Sequence, residues 1–172
     1  MSMIHVASDR NLSSLTNIQE GDIQPNAVDL RLDRVFKPNV LPFTLKADGS
    51  KEHRGSVEIK PAADGYFHLH PGTYEVIMEN IVTIGPDEAG WVITRSTLNR
   101  NGVFLTSGLY DSGYSGVMAA AMHIFGDGVK IELGSRIGQF LLFKSESIGS
   151  YNGSYGSESD HDKKYVGKEN NS

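Results

Sequence analysis

The sequence predicts an all-β sandwich or barrel, on three observations. Apolar and charged residues alternate at period two in several short runs, turn signals separate those runs, and helical periodicity is scarce. The clearest strand runs are Ser56-Val57-Glu58-Ile59, Tyr74-Glu75-Val76-Ile77-Met78 and Val129-Lys130-Ile131-Glu132-Leu133. Turn chemistry stands between apolar runs at Ala47-Asp48-Gly49-Ser50, Pro61-Ala62-Ala63-Asp64-Gly65, His70-Pro71-Gly72, Gly85-Pro86-Asp87 and Gly126-Asp127-Gly128. The 19 glycines suit a chain with many tight reversals.

In chain order, residues 10–15 are expected to form a turn or two of helix. Residues 24–32 alternate, with Val28, Leu30 and Leu32 on one face and Asp29 and Arg31 on the other, and a structural pairing of Asp29 with Arg31 is the preferred reading. Residues 96–101 are expected to form a short helix stopped by Gly102. Gly134-Ser135-Arg136-Ile137-Gly138-Gln139-Phe140 begins a strand with a turn.

With 172 residues and 38% hydrophobic content the chain is long enough for one compact domain, expected over residues 1–148. From Ser145 onward Gly, Ser, Asp, Lys and Asn dominate, and residues 149–172 are expected to be a flexible C-terminal arm. The arm either stays loose or orders over a ligand or a neighbouring subunit. With no long apolar run and a start that turns polar at once, the protein is expected to be soluble and cytoplasmic, without a membrane partner. Zero cysteines exclude disulfides, thiolate nucleophiles and the Cys-x-x-Cys half of a zinc deaminase site. A net charge of −5 argues against a general nucleic-acid binder.

Two segments carry chemistry. In Gly108-Leu109-Tyr110-Asp111-Ser112-Gly113-Tyr114-Ser115-Gly116 a carboxylate and a phenol stand three residues apart in a strand, turn and strand, which is expected to hold Asp111 and Tyr114 at the mouth of a pocket rather than buried. In Thr94-Arg95-Ser96-Thr97-Leu98-Asn99-Arg100 two guanidinium groups flank a helix start, a setting suited to phosphate. Arg95 and Arg100 are not on one helical face, so they suit a ligand wrapped around the helix end. Gln139 offers amide donors on a strand, whereas Arg136 reads as a structural ion-pair partner. His68 and His70 share a strand face, but no carboxylate at matching spacing completes a metal site, and no protein-held metal is expected.

Four blocks, in order, resemble the trimeric dUTP pyrophosphatases and their sisters, the dCTP deaminases. They are residues 24–32, the Arg-Ser-Ser-Leu-like Arg95-Ser96-Thr97-Leu98, the Gly-Ile-Asp-x-x-Tyr-x-Gly-like segment 108–116, and the Gly-x-Arg-Ile-x-Gln-like segment 134–139. The resemblance implies a distorted jelly roll or β-barrel with one short helix, a homotrimer, and active sites at subunit interfaces. It implies that Arg95, Ser96, Thr97, Arg100 and Gln139 hold phosphates, and that the 105–111 segment, with Ser107, Gly108 and Tyr110, reads the base edge. Tyr114 would stack on the deoxyribose. Asp111 would hold the 3′-hydroxyl and orient or activate water, and Lys164 and Tyr165 match the deaminase tail.

In the deaminase branch a glutamate five positions beyond the segment's last glycine activates the attacking water. That position is Ala121 here. Ordinary deamination is therefore expected to fail, since acid–base help contributes about 10²–10⁴ in rate. His123 shares the face of Ala121, and its ordinary reading is a histidine lining the pocket or facing the trimer axis. The leading expectation is a dUTP pyrophosphatase, with Mg²⁺ held by the substrate phosphates. The alternatives are a dCTP deaminase, a pyrophosphatase acting on dCTP or another pyrimidine triphosphate, and a non-catalytic nucleotide-binding regulator.

Overall fold

The computed structural model describes residues 2–157 and 159–166, excepting the side chains of Lys164 and Val166. Two short strands, β1 (Ser2–Ile4) and β2 (Ser14–Leu15), precede the long β3 (Val28–Pro38). The helix expected over residues 10–15 is absent, and a physical reason is visible. The Leu12 N–H donates to both carboxylate oxygens of buried Glu88 at 3.0 Å, and Ser13 Oγ donates to Glu88 Oε2 at 2.5 Å. A backbone donor committed to a side chain 76 residues away is lost to a helical ladder.

A small hairpin, β4 (Thr44–Leu45) and β5 (Lys51–Glu52), is followed by β6 (Ser56–Ile59), β7 (Tyr66–Leu69), β8 (Gly72–Thr83) and β9 (Glu88–Thr94). Then come the single-turn helix α1 (Ser96–Arg100), β10 (Val103–Thr106), β11 (Leu109–Tyr110), β12 (Ser115–Ile124), β13 (Val129–Glu132), β14 (Arg136–Lys144) and α2 (Lys163–Val166). The three runs read as strands are strands. α1 ends as expected, with Gly102 at φ +71°, whereas α2 was not legible in the tail composition.

The main sheet runs β10-β12-β8-β3-β14-β9-β11, and its pairs are antiparallel. It curls on itself: Thr94 Oγ1, at the end of β9, accepts the Leu105 N–H at 2.7 Å and donates to the Leu105 carbonyl at 3.2 Å, tying edge strand β10 to β9. The result is a distorted β-barrel. Its interior takes the alternate residues Val28, Leu30 and Leu32, Val76 and Met78, Met118 and Met122, and Phe140 and Leu142, each at most 2% exposed. Burial of each contributes roughly 1.5–3 kcal/mol. Strands β9 and β14 approach closely because Gly90 has no side chain; a Cβ there would lie 2.4 Å from the Phe140 ring.

Candidate active site

At one end of β9 the structure builds a lock around a fully buried carboxylate. Asp29 on β3 stands opposite Gln139 on β14, and Gln139 Nε2 donates to Asp29 Oδ1 at 3.0 Å. Arg95 Nε and Arg136 Nη1 each lie 3.3 Å from Asp29 Oδ2. Arg95 adds a bond from Nη1 to the Arg136 carbonyl. The expected pairing of Asp29 with Arg31 is therefore wrong. Residues two apart on a strand are about 6.6 Å apart, whereas opposed residues of neighbouring strands bring their Cβ atoms within about 5 Å. Arg31 instead pairs with buried Asp22 at 2.7 Å and donates to the Gly134 carbonyl. The lock holds two partly exposed guanidinium groups and an amide beside α1, where Ser96, Thr97 and Arg100 are exposed.

The Gly108–Gly116 segment forms the expected strand, turn and strand, with Gly113 at φ +82° and the Tyr114 N–H bonded to the Asp111 carbonyl at 3.0 Å. Its arms do not pair with each other: Leu109 and Tyr110 pair with β9, while β12 pairs with β8 and β10. Tyr114 is buried, against the expectation that it stands at a pocket mouth. The ladder register slips between Val117 and Ala119, and two tyrosines satisfy the backbone there. Tyr110 Oη donates to the Ala119 carbonyl and accepts the Ala119 N–H, both at 3.1 Å, and Tyr114 Oη donates to the Val117 carbonyl at 2.9 Å. Burial pushes the Tyr110 hydroxyl up to about 12 and raises that of Tyr114.

Two adjoining cavities of ≈ 430 and ≈ 380 Å³ form a cleft over this region, sharing His53, Glu75, Gly108, Ala119 and His161. The first is also lined by Thr106, Ser107 and Ala121, and the second by Tyr110, Tyr114 and Tyr165. The C-terminal arm covers the second. The Tyr151 N–H bonds to the Ser112 carbonyl at 2.7 Å, the Ser157 N–H to the Ser115 carbonyl at 2.9 Å, and Tyr165 Oη donates to Glu75 Oε1. Burial, then the bond to Glu75, raises the Tyr165 hydroxyl. The side chain of Lys164 lies outside the described residues. His123 stands between Thr73 and Thr106, 3.2 and 3.0 Å from their hydroxyls.

Asp111 is exposed and lines a separate hollow of ≈ 410 Å³ with Ser112, Glu146 and the start of the arm. No described residue bonds its carboxylate. Tyr110 pairs with Gly90, so Asp111 stands six residues along β9 from Arg95, on the order of 20 Å of strand. Ser107, Gly108, Tyr110, Tyr114 and Tyr165 are thus gathered at the cleft, Arg95 and Gln139 at the lock with Ser96, Thr97 and Arg100 on the adjoining helix, and Asp111 is apart. Among the described residues no three His, Asp or Glu side chains are grouped to hold a metal ion; His68 bonds Asp64 instead.

With this geometry in place, the comparison with known families is decisive: the model of dCTP deaminase-like proteins matches residues 3–145. The chain belongs to the dCTP deaminase-like family. Similar proteins include a probable deoxyuridine 5′-triphosphate nucleotidohydrolase of Methanococcoides burtonii, 32% identical over 149 residues, covering 77% of this chain and 86% of that protein. Another of that description, from Halobacterium salinarum, is 29% identical over 141 residues, covering 80% and 85%. A dCTP deaminase, dUMP-forming, of Nocardioides sp. is 32% identical over 160 residues, covering 84% and 78%. The 2′-deoxycytidine 5′-triphosphate deaminase structure from Agrobacterium tumefaciens shares the fold, with a TM-score of 0.57 at 15% identity, covering 74% of this chain and 42% of that one.

For this dCTP deaminase-like protein the residues missed by sequence reasoning are Asp29, placed among structural pairings, and Glu75, His53 and His161. Asp29 carried a signal: a carboxylate between Val28 and Leu30, both fully buried, needs cationic partners. Glu75 had none, because its place in the cleft follows from strand register.

Proposed function

We propose that this protein is a dUTP pyrophosphatase: dUTP and water give dUMP and diphosphate. The observation that carries the reading is the exposed carboxylate of Asp111, which no described residue bonds, together with the lock of Arg95, Arg136 and Gln139 on Asp29. Asp111 orients water, which attacks the α-phosphorus in line as the bond to the bridging oxygen breaks and diphosphate leaves. Arg95, Arg100 and Gln139, with Ser96 and Thr97, stabilise the charge that gathers on the leaving group. The base and sugar occupy the cleft, where Ser107, Gly108 and Tyr110 bound the base and Tyr114 backs the deoxyribose. The named relatives of Methanococcoides burtonii and Halobacterium salinarum support the substrate.

Asp111 and Arg95 lie far apart along β9 in one chain, which supports a homotrimer in which each site takes Asp111 from one copy and the arginines from a neighbour. The donor set suits a Mg²⁺ ion that enters on the triphosphate: the carboxylate beside the arginines, Asp29, is engaged by Arg95, Arg136 and Gln139, so phosphate oxygens and water would be the ligands. When bound, the ion neutralises triphosphate charge. The reading takes neither nucleic acid nor a membrane as partner and places the enzyme in the cytoplasm; no helix among the described residues is long and apolar enough to cross a membrane. The test is incubation of the purified protein with dUTP and Mg²⁺, separated by chromatography. The reading requires dUMP and diphosphate in equal amounts, and unchanged dUTP would refute it.

A further inference from the structure

Two histidines from distant parts of the chain meet over the cleft. His53, just beyond β5, and His161, on the C-terminal arm, pack with ring centroids 4.7 Å apart. Aromatic rings surround them: Phe43 lies 5.9 Å from His53, and Tyr155 and Tyr165 lie 5.0 and 6.0 Å from His161. Both histidines line both cavities, so their contact joins the β4-β5 hairpin to the arm across the cleft. The hairpin side carries Lys51, whose Nζ lies 4.7 Å over the Tyr155 ring, Arg54, which lines the first cavity, and exposed Glu52. On the arm, His161 Nδ1 lies 2.8 Å from Oδ1 of buried Asp162, and Asp162 Oδ2 accepts the Gly156 N–H at 2.6 Å. Asp160 and Lys163 pair with each other. From β8 comes Glu75, whose Oε1 accepts the Tyr165 hydroxyl, whereas the β10 and β12 residues that line the first cavity carry no charge.

We propose that His53 and His161 form a proton-operated clasp, which holds the arm over the cleft while the two rings carry at most one charge and releases it when both are protonated. One imidazolium is accommodated, because Asp162 faces His161 at ion-pair distance. A second brings like charges together at a ring spacing of 4.7 Å, beside the cations of Lys51 and Arg54. The nearby carboxylates offer little more: both oxygens of Asp162 have partners, and Tyr165 holds one oxygen of Glu75. Imidazoles change charge between about pH 5 and 8. The open arm thus binds more protons than the clasped one, so the clasp is fully present at the basic end of that interval and is lost toward the acid end. Release uncovers the second cavity. The clasp does not depend on the reaction assigned to the cleft.

The test is limited proteolysis within residues 150–166 at pH 8 and pH 5.5, on three proteins: the wild type, His53→Phe, which keeps a ring and loses the charge, and His53→Arg, which is charged at both pH values. Dividing each rate by that of His53→Phe at the same pH cancels the protease's own pH dependence. The expected wild-type ratio is near one at pH 8 and about tenfold at pH 5.5, with His53→Arg cleaved fast at both and the barrel intact throughout. A wild-type ratio that stays near one at pH 5.5 overturns the clasp, as does His53→Arg cleaved no faster than His53→Phe at pH 8. Cleavage of the barrel in step with the arm also overturns it, since the acid effect would then be unfolding. None of these outcomes bears on dUTP hydrolysis, which the dUMP measurement judges separately.

Discussion

Gln139 donates to Asp29 directly across the β3 and β14 pair, at 3.0 Å, and this bond fills the one oxygen of Asp29 that Arg95 and Arg136 leave open. Removing the charge while keeping the shape should release both guanidinium groups. Asp29→Asn is expected to raise KM for dUTP about tenfold, the equivalent of about 1.4 kcal/mol, with a smaller change in kcat. Asp29→Ala is expected to lower stability by about 2–3 kcal/mol. Steady-state kinetics and urea unfolding check the two expectations.

Acid should weaken the pairing of β3 with β6. The hydrogen bond from Arg34 at 2.8 Å, helped by Lys60 at 2.6 Å, holds the Glu58 carboxyl at about 2, below its ordinary 4.5. A carboxyl with a depressed folded-state value stabilises the fold above the unfolded value and loses that contribution as pH falls toward the folded one. The wild type should therefore unfold at higher urea than Glu58→Gln at pH 6, and the difference should shrink between pH 4.5 and about 2.

The arm is seated against a glycine. A Cβ on Gly116 would lie 2.7 Å from Tyr114 Oη and 2.8 Å from Gly156 Cα, and neither neighbour can yield without breaking a backbone contact. Overpacking of this kind costs about 1–3 kcal/mol. Gly116→Ala is expected to speed limited proteolysis within residues 150–166 while the barrel resists, with cleavage sites read by mass spectrometry. Cleavage at the wild-type rate would contradict the seating.

A site shared between copies predicts complementation. Asp111→Asn and Arg95→Ala should each be nearly inactive alone. Mixed after dissociation and reassembly, they should recover part of the wild-type rate, because some interfaces then carry both intact residues. No recovery in reassembled mixtures would mean that one chain supplies both groups.

The strands were legible because period-two alternation and Gly or Pro turns are local signals, as Val129, Ile131 and the Gly126-Asp127-Gly128 turn show. The turn with Asp111 and the helix at Ser96 were legible for the same reason. What was not legible depends on pairing across the sheet. Asp29 meets Gln139 across 110 residues of chain, and Leu12 meets Glu88 across 76. Tyr114 is buried because a register slip leaves the Val117 carbonyl in need of a donor. Glu75 faces Ala121 only through the alignment of β8 with β12.

The most direct measurement compares wild type and Asp111→Asn for conversion of dUTP to dUMP with Mg²⁺ present, alongside binding of a non-hydrolysable dUTP analogue. The expected result is full conversion by the wild type, a rate lower by about 10²-fold or more in Asp111→Asn, and analogue binding within a few-fold of the wild type. Full activity in Asp111→Asn, or a wild type that binds the analogue and hydrolyses no dUTP, would contradict the assignment.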